Sequence, residues 1–200
     1  RKISFRDRLG AVPRHAPMLI WNDHQQVDWS DDERDMLASD PDLTALLGSL
    51  GAGAHCRPDG PADGETVLGL WEYRTVVREP TFPIPEDPMY PELVVRGLSR
   101  MLPAMGAYLD RLPQPYVDGG YYTKTDENRP LIGPVGAHGS FIAGALSGYG
   151  VMAAPAAGEL VARHVLGLEL PEYALFLSPG RYDDPDYQRL LASMEDQGQL

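Results

Sequence analysis

The stretch Tyr116–Leu166, YVDGGYYTKTDENRPLIGPVGAHGSFIAGALSGYGVMAAPAAGELVARHVL, decides how this chain is read. It sets three strand-like segments, near 116–123, 130–135 and 140–146, ahead of a helix over 150–166 that begins with small residues. The segment FIAGAL ends in a turn built from Ser147, Gly148, Tyr149 and Gly150. Its two glycines are expected to supply positive φ and to let a ligand come close. Ala153, Ala154, Ala156, Ala157 and Gly158 follow, and their size lets the helix lie against a sheet or a flat ring. The first turn of such a helix offers unpaired N–H groups and the positive end of the macrodipole, which stabilise negative charge by about 0.3–1 kcal/mol. The same Gly and Ala residues also suit plain helix–sheet packing, and spacing alone leaves both readings open. Pro155 is tolerable only if it falls in the first turn or so.

Outward from that stretch the order is mixed. Pro17–Asp23 reads as a short buried strand. Ser30 and Glu33 form a capping box for a helix that includes Met36 and Leu37 and is stopped at Asp40-Pro41. Leu43, Leu46 and Leu47 mark a second short stretch. Segments 54–57 and 67–75 read as strands around the turn-rich loop RPDGPADGE. Trp71 and Tyr73 alternate with Glu72, so one face there is expected to be buried. Five prolines between Glu79 and Pro91 forbid a helix or central strand and predict an extended connector. A helix then starts near Pro91, with Val94, Leu98, Met101, Leu102, Met105, Tyr108 and Leu109 at helical spacing and Pro103 dividing it. The tail after residue 170 carries Pro and Asp breaks and room for one short helix.

Bulk properties narrow the class. At 43% hydrophobic and 23% charged, the composition is that of an ordinary soluble globular protein. A net charge of −12 excludes the basic stripe that nucleic-acid binding needs. No apolar run reaches the ~18 residues that span a bilayer. The single cysteine, Cys56, can form no intrachain disulfide and reads as a small buried apolar residue. A reducing, cytoplasmic setting is the simplest expectation. His15, His24, His55, His138 and His164 show no metal-ligand spacing, so no metal is expected. No nucleophile-elbow sequence and no complete G-x-G-x-x-G unit occurs; Gly51 and Gly53, and Gly148 and Gly150, each lack the third glycine.

The segments YYTKTDENRPLIGP and GSFIAGALSGYGVMAAPAAGELVA together resemble the C-terminal part of the FAD-dependent oxidoreductases of the D-amino-acid oxidase class, which includes glycine oxidase, sarcosine oxidase and the D-amino-acid dehydrogenases. A T-x-D-x-x-P-x-I-G segment precedes the strand, turn and small-residue helix in that class. Here it stands as Thr125, Asp126, Pro130, Ile132 and Gly133, with Asp126 displaced by one position. The resemblance is specific over 116–167 and weaker over 1–115.

It implies an α/β (α+β) fold: an antiparallel-sheet substrate domain over 1–112, then over 113–200 the C-terminal return segment of a Rossmann-like FAD-binding domain. It implies that Ser147, Gly148, Tyr149, Gly150, Val151 and Met152 lie against the flavin, with N–H groups facing the pyrimidine edge. Tyr121 and Tyr122 fall where the class places residues beside flavin and substrate, and Tyr122 and Tyr149 are the candidates for catalysis. Arg57 and Arg74 are candidates for an acidic substrate group, or for ion pairs.

Three positions depart from the class. Tyr122 stands where an arginine often clamps a substrate carboxylate, Met152 where sarcosine oxidases carry a lysine, and Gly120 near where a cysteine attaches flavin. FAD is therefore expected to be non-covalent.

The missing nucleotide fingerprint, and an opening RKISFRDRLGAV that reads as a continuing strand region, lead to the expectation of an N-terminal FAD-binding half. That half would be an upstream segment or a separate chain, and oligomers are possible. The expected activity is oxidation of a C–N bond in a small amine or amino acid by hydride transfer to flavin. The alternative is a non-catalytic subunit or binding module that retains the fold.

Overall fold

A computed structural model describes residues 1–74 and 79–194. These form two compact units, 1–120 and 121–194. The fold mixes helices with antiparallel strands, as an α/β chain does.

The first unit is built on β1 (Lys2–Arg6), β2 (Leu19–Trp21), β3 (Gln25–Gln26), α1 (Asp31–Ser39), β4 (Ser49–Leu50), β5 (Ala54–Pro58), β6 (Thr66–Leu70), α2 (Tyr90–Met101) and β7 (Tyr116–Asp118). Its main sheet has the order β2-β5-β6-β1-β7, and every pairing is antiparallel. Side chains alternate across that sheet, so Ile3, Phe5, Ala54, Cys56 and Val67 share the buried face. Helix α2 covers that face with Leu93, Val94 and Leu98. Gly69 allows the approach, because a Cβ there would sit 3.1 Å from Val94 Cγ1 and 3.2 Å from Leu98 Cδ1. Gly97 is tighter still, since a Cβ would lie 2.5 Å from Cε3 of the buried Trp71.

Local signals explain most boundaries. Ser30 caps α1 by accepting from the Glu33 N–H, and the Glu33 carboxylate accepts from the Ser30 N–H at 2.7 Å. The helix stops at Ser39, before Asp40-Pro41, and a single 3-10 turn over Thr44–Leu47 follows. Pro91 lies in the first turn of α2, and Pro103 ends the α-helical run, so that Met105 and Tyr108 belong to a 3-10 segment, Pro103–Tyr108.

Two strands are shorter than the residue pattern predicts. The segment expected over 67–75 pairs only as Thr66–Leu70, and Thr75 lies outside the described residues. Trp71 and Tyr73 are buried beyond the strand's end, where Trp71 stacks edge-on against Tyr73 and donates from Nε1 to the Gly51 carbonyl at 2.8 Å. The segment expected over 116–123 is a strand only as Tyr116–Asp118, and the chain leaves the ladder at Gly119-Gly120.

The second unit contains β8 (Leu131–Pro134), β9 (Phe141–Gly144), α3 (Gly150–Leu166) and α4 (Pro185–Ala192). Strands β8 and β9 form a hairpin in which Leu131 faces Gly144 and Pro134 faces Phe141. Ile132, Ala157, Leu160 and Ala174 form the small core, with Val161 and Leu177 against it. Gly167 ends α3 in the left-handed conformation (φ 64°), and the Leu168 N–H returns to the Arg163 carbonyl at 2.9 Å.

Pro155 corrects the sequence reading. It is the sixth residue of α3 and lies inside the helix, beyond the first turn. It has no N–H for the Val151 carbonyl, so the helix carries a missing bond near its start. Among the described residues no helix is long and apolar enough to cross a membrane.

Candidate functional site

The turn between β9 and α3 is the most unusual piece of backbone in the second unit. Ala145 (φ 53°) and Ser147 (φ 52°) are both left-handed, although neither is glycine. Leu146 lies between them at φ −80° and ψ 1°. Such alternation turns successive N–H groups toward one side, as in backbone cradles for anions. The two turn glycines do not play the part expected of them. Gly150 is right-handed (φ −51°) and opens α3, and Ser147–Tyr149 close a short 3-10 turn. The αL positions fall at Ala145 and Ser147, just past the strand, which ends at Gly144, two residues earlier than the sequence pattern predicts.

Several observations set this turn apart. The N-cap of α3, Tyr149, makes no side-chain capping bond, and no acidic residue occupies the first turn. The opposite end carries Arg163 and His164 in its last turn. The positive end of the dipole is thus left uncompensated, and the negative end is not. The Ser147 hydroxyl is buried and meets no hydrogen-bond partner among the described residues. Val151 is 93% exposed and Met152 71% exposed, and a Cβ on Gly150 would touch only Leu146 Cβ, at 3.8 Å. The mouth of the helix is therefore open to solvent on this side.

The loop 121–130 lies beside the turn. The Ser147 N–H donates to the Thr123 carbonyl at 3.3 Å, which ties the residue after Tyr122 to the turn that leads into α3. Tyr122 is 50% exposed, and Lys124 lies over its ring, 6.0 Å from the centroid. The loop closes on itself through Thr125. Its hydroxyl donates to the Arg129 carbonyl at 2.7 Å and accepts from the Arg129 N–H at 2.9 Å.

A buried hub behind this loop escapes the sequence reading. Glu127 and Arg181 are 54 residues apart, both buried, and paired at 2.6 Å. Glu127 Oε1 also accepts from the hydroxyls of Tyr182 at 2.9 Å and Tyr187 at 3.0 Å. Burial alone would raise the Glu127 carboxyl. The hydrogen bonds from Arg181, from a backbone N–H and from the two tyrosines outweigh it and hold the group down at about 2. Burial, and then the bond to Glu127, raise the Tyr182 phenol. The only trace of this hub in the sequence is an acid next to Asp126; nothing in the spacing links it to Arg181.

Arg57 and Arg74 belong to the first unit. Arg57 Nη1 is 2.5 Å from Asp59 Oδ1, and Arg74 Nη2 is 3.7 Å from Asp87 Oδ2, so each guanidinium has a carboxylate at hand. Tyr73 also donates to Asp87, at 2.7 Å. Cys56 is fully buried, and burial raises its thiol to about 11. Among the described residues no group of His, Cys, Asp and Glu could hold a metal ion.

A family profile described as FAD dependent oxidoreductase matches residues 22–164, which take in the sheet of the first unit from β2 onward, the 121–130 loop, the turn and most of α3. Searches of curated proteins and of solved structures gave no match. With residues 22–164 covered by that profile, the chain belongs to the family of FAD-dependent oxidoreductases.

Proposed function

We propose that this chain supplies the ring-facing half of a flavin site and works in the oxidation of a C–N bond in a small amine or amino acid. The observation that carries the reading is the mouth of α3. An uncapped helix start, a left–right–left backbone turn and an orphaned buried hydroxyl converge there within six residues. These groups fit an electron-rich edge of a planar ring. The N–H groups at the start of α3, from Gly150 to Met152, and the Ser147 hydroxyl would hold it, and the side chains of Tyr121, Tyr149, Val151 and Met152 would flank it.

FAD, when bound, supplies a two-electron acceptor for a hydride from the carbon next to the substrate nitrogen. The chain's own contribution is electrostatic. Fixed dipoles aimed at the place where negative charge gathers cost no reorganisation at the moment of transfer. Tyr122 and Tyr149, both half-exposed beside the mouth, are suited to orient a substrate by ring contact and hydroxyl hydrogen bonds. No charged side chain stands at 122 or 152, so neither of these two positions offers a clamp for a substrate carboxylate. FAD is held without a covalent link in this reading.

The second part of the proposal concerns what completes the site. The family requires FAD, and the 200 residues contain no G-x-G-x-x-G unit for its pyrophosphate. The outer side of α3 is apolar and open: Ala154, Gly158 and Ala162, four residues apart, are all exposed together with Val151, Val165 and Leu166. Small residues at that spacing admit a close backbone neighbour. The occupant in this reading is a nucleotide-binding half that carries the glycine fingerprint, in the same polypeptide or a separate one.

The visible absorption spectrum of the native protein tests both parts. Stoichiometric flavin absorption that bleaches when an amine or amino acid is added without oxygen supports the reading. A colourless native complex overturns it in favour of a non-catalytic module, which the neutral residues at Tyr122 and Met152 would then fit.

A further inference from the structure

The Arg181 guanidinium grips one loop at three points. Nε and Nη2 donate to Glu127 Oε1 at 3.0 and 2.6 Å, Nη1 donates to the Pro130 carbonyl at 2.9 Å, and Nη2 reaches the Arg129 carbonyl at 3.3 Å. Its remaining contacts fix its own base, through the Ser178 carbonyl at 3.3 Å and the Tyr182 hydroxyl at 2.9 Å. Tyr182 and Tyr187 stand with ring centroids 4.6 and 5.6 Å from the guanidinium carbon, so the fork is walled by aromatic faces as well as bonded. A planar, five-donor group held this way has one orientation.

The gripped loop is stiff in itself. Thr125 ties its two ends together, the Asn128 N–H returns to the Thr125 carbonyl at 2.9 Å, and Asn128 is left-handed (φ 54°). A stiff loop held at Glu127, Arg129 and Pro130 also fixes what lies just upstream. That is Thr123, whose carbonyl accepts the Ser147 N–H.

We infer that Arg181 is a positioning residue: through Glu127 and the carbonyls of Arg129 and Pro130 it sets the 123–130 loop, and through Thr123 it sets the left-handed Ser147 turn at the mouth of α3. The turn needs such support. Two non-glycine residues in the left-handed region persist only where their surroundings over-determine them. The buried ion pair is the one fully desolvated charge pair among the described residues, and it stands behind the loop that touches that turn. A segment with no sequence proximity to the site, the 3-10 turn Pro179–Asp183, thereby controls its geometry.

The inference rests on the flavin reading only for its functional consequence, and the test separates the two. Amide hydrogen exchange is measured residue by residue on the native protein and on Arg181→Met, Arg181→Lys and Tyr187→Phe. Arg181→Met is expected to speed exchange at the Ser147 amide about tenfold relative to amides in the middle of α3, with Arg181→Lys recovering part of the difference. Tyr187→Phe removes a single donor and keeps the fold, so it carries the test if Arg181→Met fails to fold; a smaller rise confined to the same amides is expected.

An unchanged Ser147 amide, or a rise shared equally by all amides of the unit, would overturn the inference and leave the pair a general brace. FAD titration of the same variants gives the second readout. Affinity is expected to fall about tenfold in Arg181→Met, in step with the exchange. A native protein that takes up no FAD defeats the proposed function, while the exchange pattern still decides the role of Arg181.

Discussion

Ser147 holds a left-handed backbone without glycine's freedom, and its hydroxyl is buried with no hydrogen-bond partner among the described residues. Each feature costs stability: the β-carbon in that region about 1–2 kcal/mol, the orphaned hydroxyl about 1–3 kcal/mol. Ser147→Gly and Ser147→Ala both delete the hydroxyl, but only alanine keeps the strained β-carbon. Ser147→Gly is therefore expected to be the more stable of the two by about 1 kcal/mol, as thermal or urea denaturation would read. Both variants are expected to retain FAD less well than the native protein. Glu127 presents the opposite case, a buried charge with every need met. Its carboxyl titrates at about 2 when folded, against an ordinary 4.5, so folding favours the ionised form. Its contribution, on the order of 3 kcal/mol, is whole above pH ~4.5 and is lost as pH falls toward 2. Glu127→Gln is expected to lower stability at neutral pH by about 3–5 kcal/mol, because Arg181 is left uncompensated. It should also flatten the acid-side loss of the second unit. Urea midpoints at several pH values check both effects.

At the scale of elements, packing follows from which residues lack a side chain. Helix α2 approaches the sheet because Gly69 and Gly97 leave room for Val94, Leu98 and Trp71. Gly97→Ala improves helix propensity by about 1 kcal/mol, yet its Cβ would stand 2.5 and 2.6 Å from two Trp71 ring carbons. Overpacking of that kind costs about 1–3 kcal/mol or more, so a net loss of thermal stability is expected, with altered Trp71 fluorescence as a direct sign of the displaced ring. The capping box of α1 is a gentler case. Ser30→Ala removes the acceptor for the Glu33 N–H and is expected to cost about 1 kcal/mol, measurable by denaturation. Both elements were legible beforehand, because cap and proline signals act over three or four residues. The ends of β6 and β7 were not. A strand stops where its partner stops, and β1, which pairs with both, is only five residues long.

For the whole molecule the informative surface is the open side of α3. The helix has seventeen residues, of which only Ala157 and Leu160 are buried, and its one ion pair among the described residues, Glu159 with Arg163, is internal to it. A helix this apolar and this uncovered fits a chain whose cofactor site is shared with further sequence. Gly158→Leu places a branched side chain where a Cβ would now meet open space. The substitution is expected to leave the fold of the unit intact by circular dichroism. It is also expected to release FAD and, if the nucleotide-binding half is a separate chain, that partner in size-exclusion chromatography. Unaltered flavin content in this variant would remove the α3 seam from the proposal.

Residue order by itself determined the helix over 150–166, the capped start of α1, the proline-rich connector and the family, because each depends on short-range rules or on a local motif. It also located the turn beside which the cofactor is proposed to sit. Only the tertiary structure decided which residues of that turn carry the left-handed backbone, that Pro155 lies inside α3, and that Glu127 meets Arg181 across 54 positions. The reason is physical. Backbone strain and buried ion pairs exist only where distant segments close around them, and no periodicity in a linear chain records that closure.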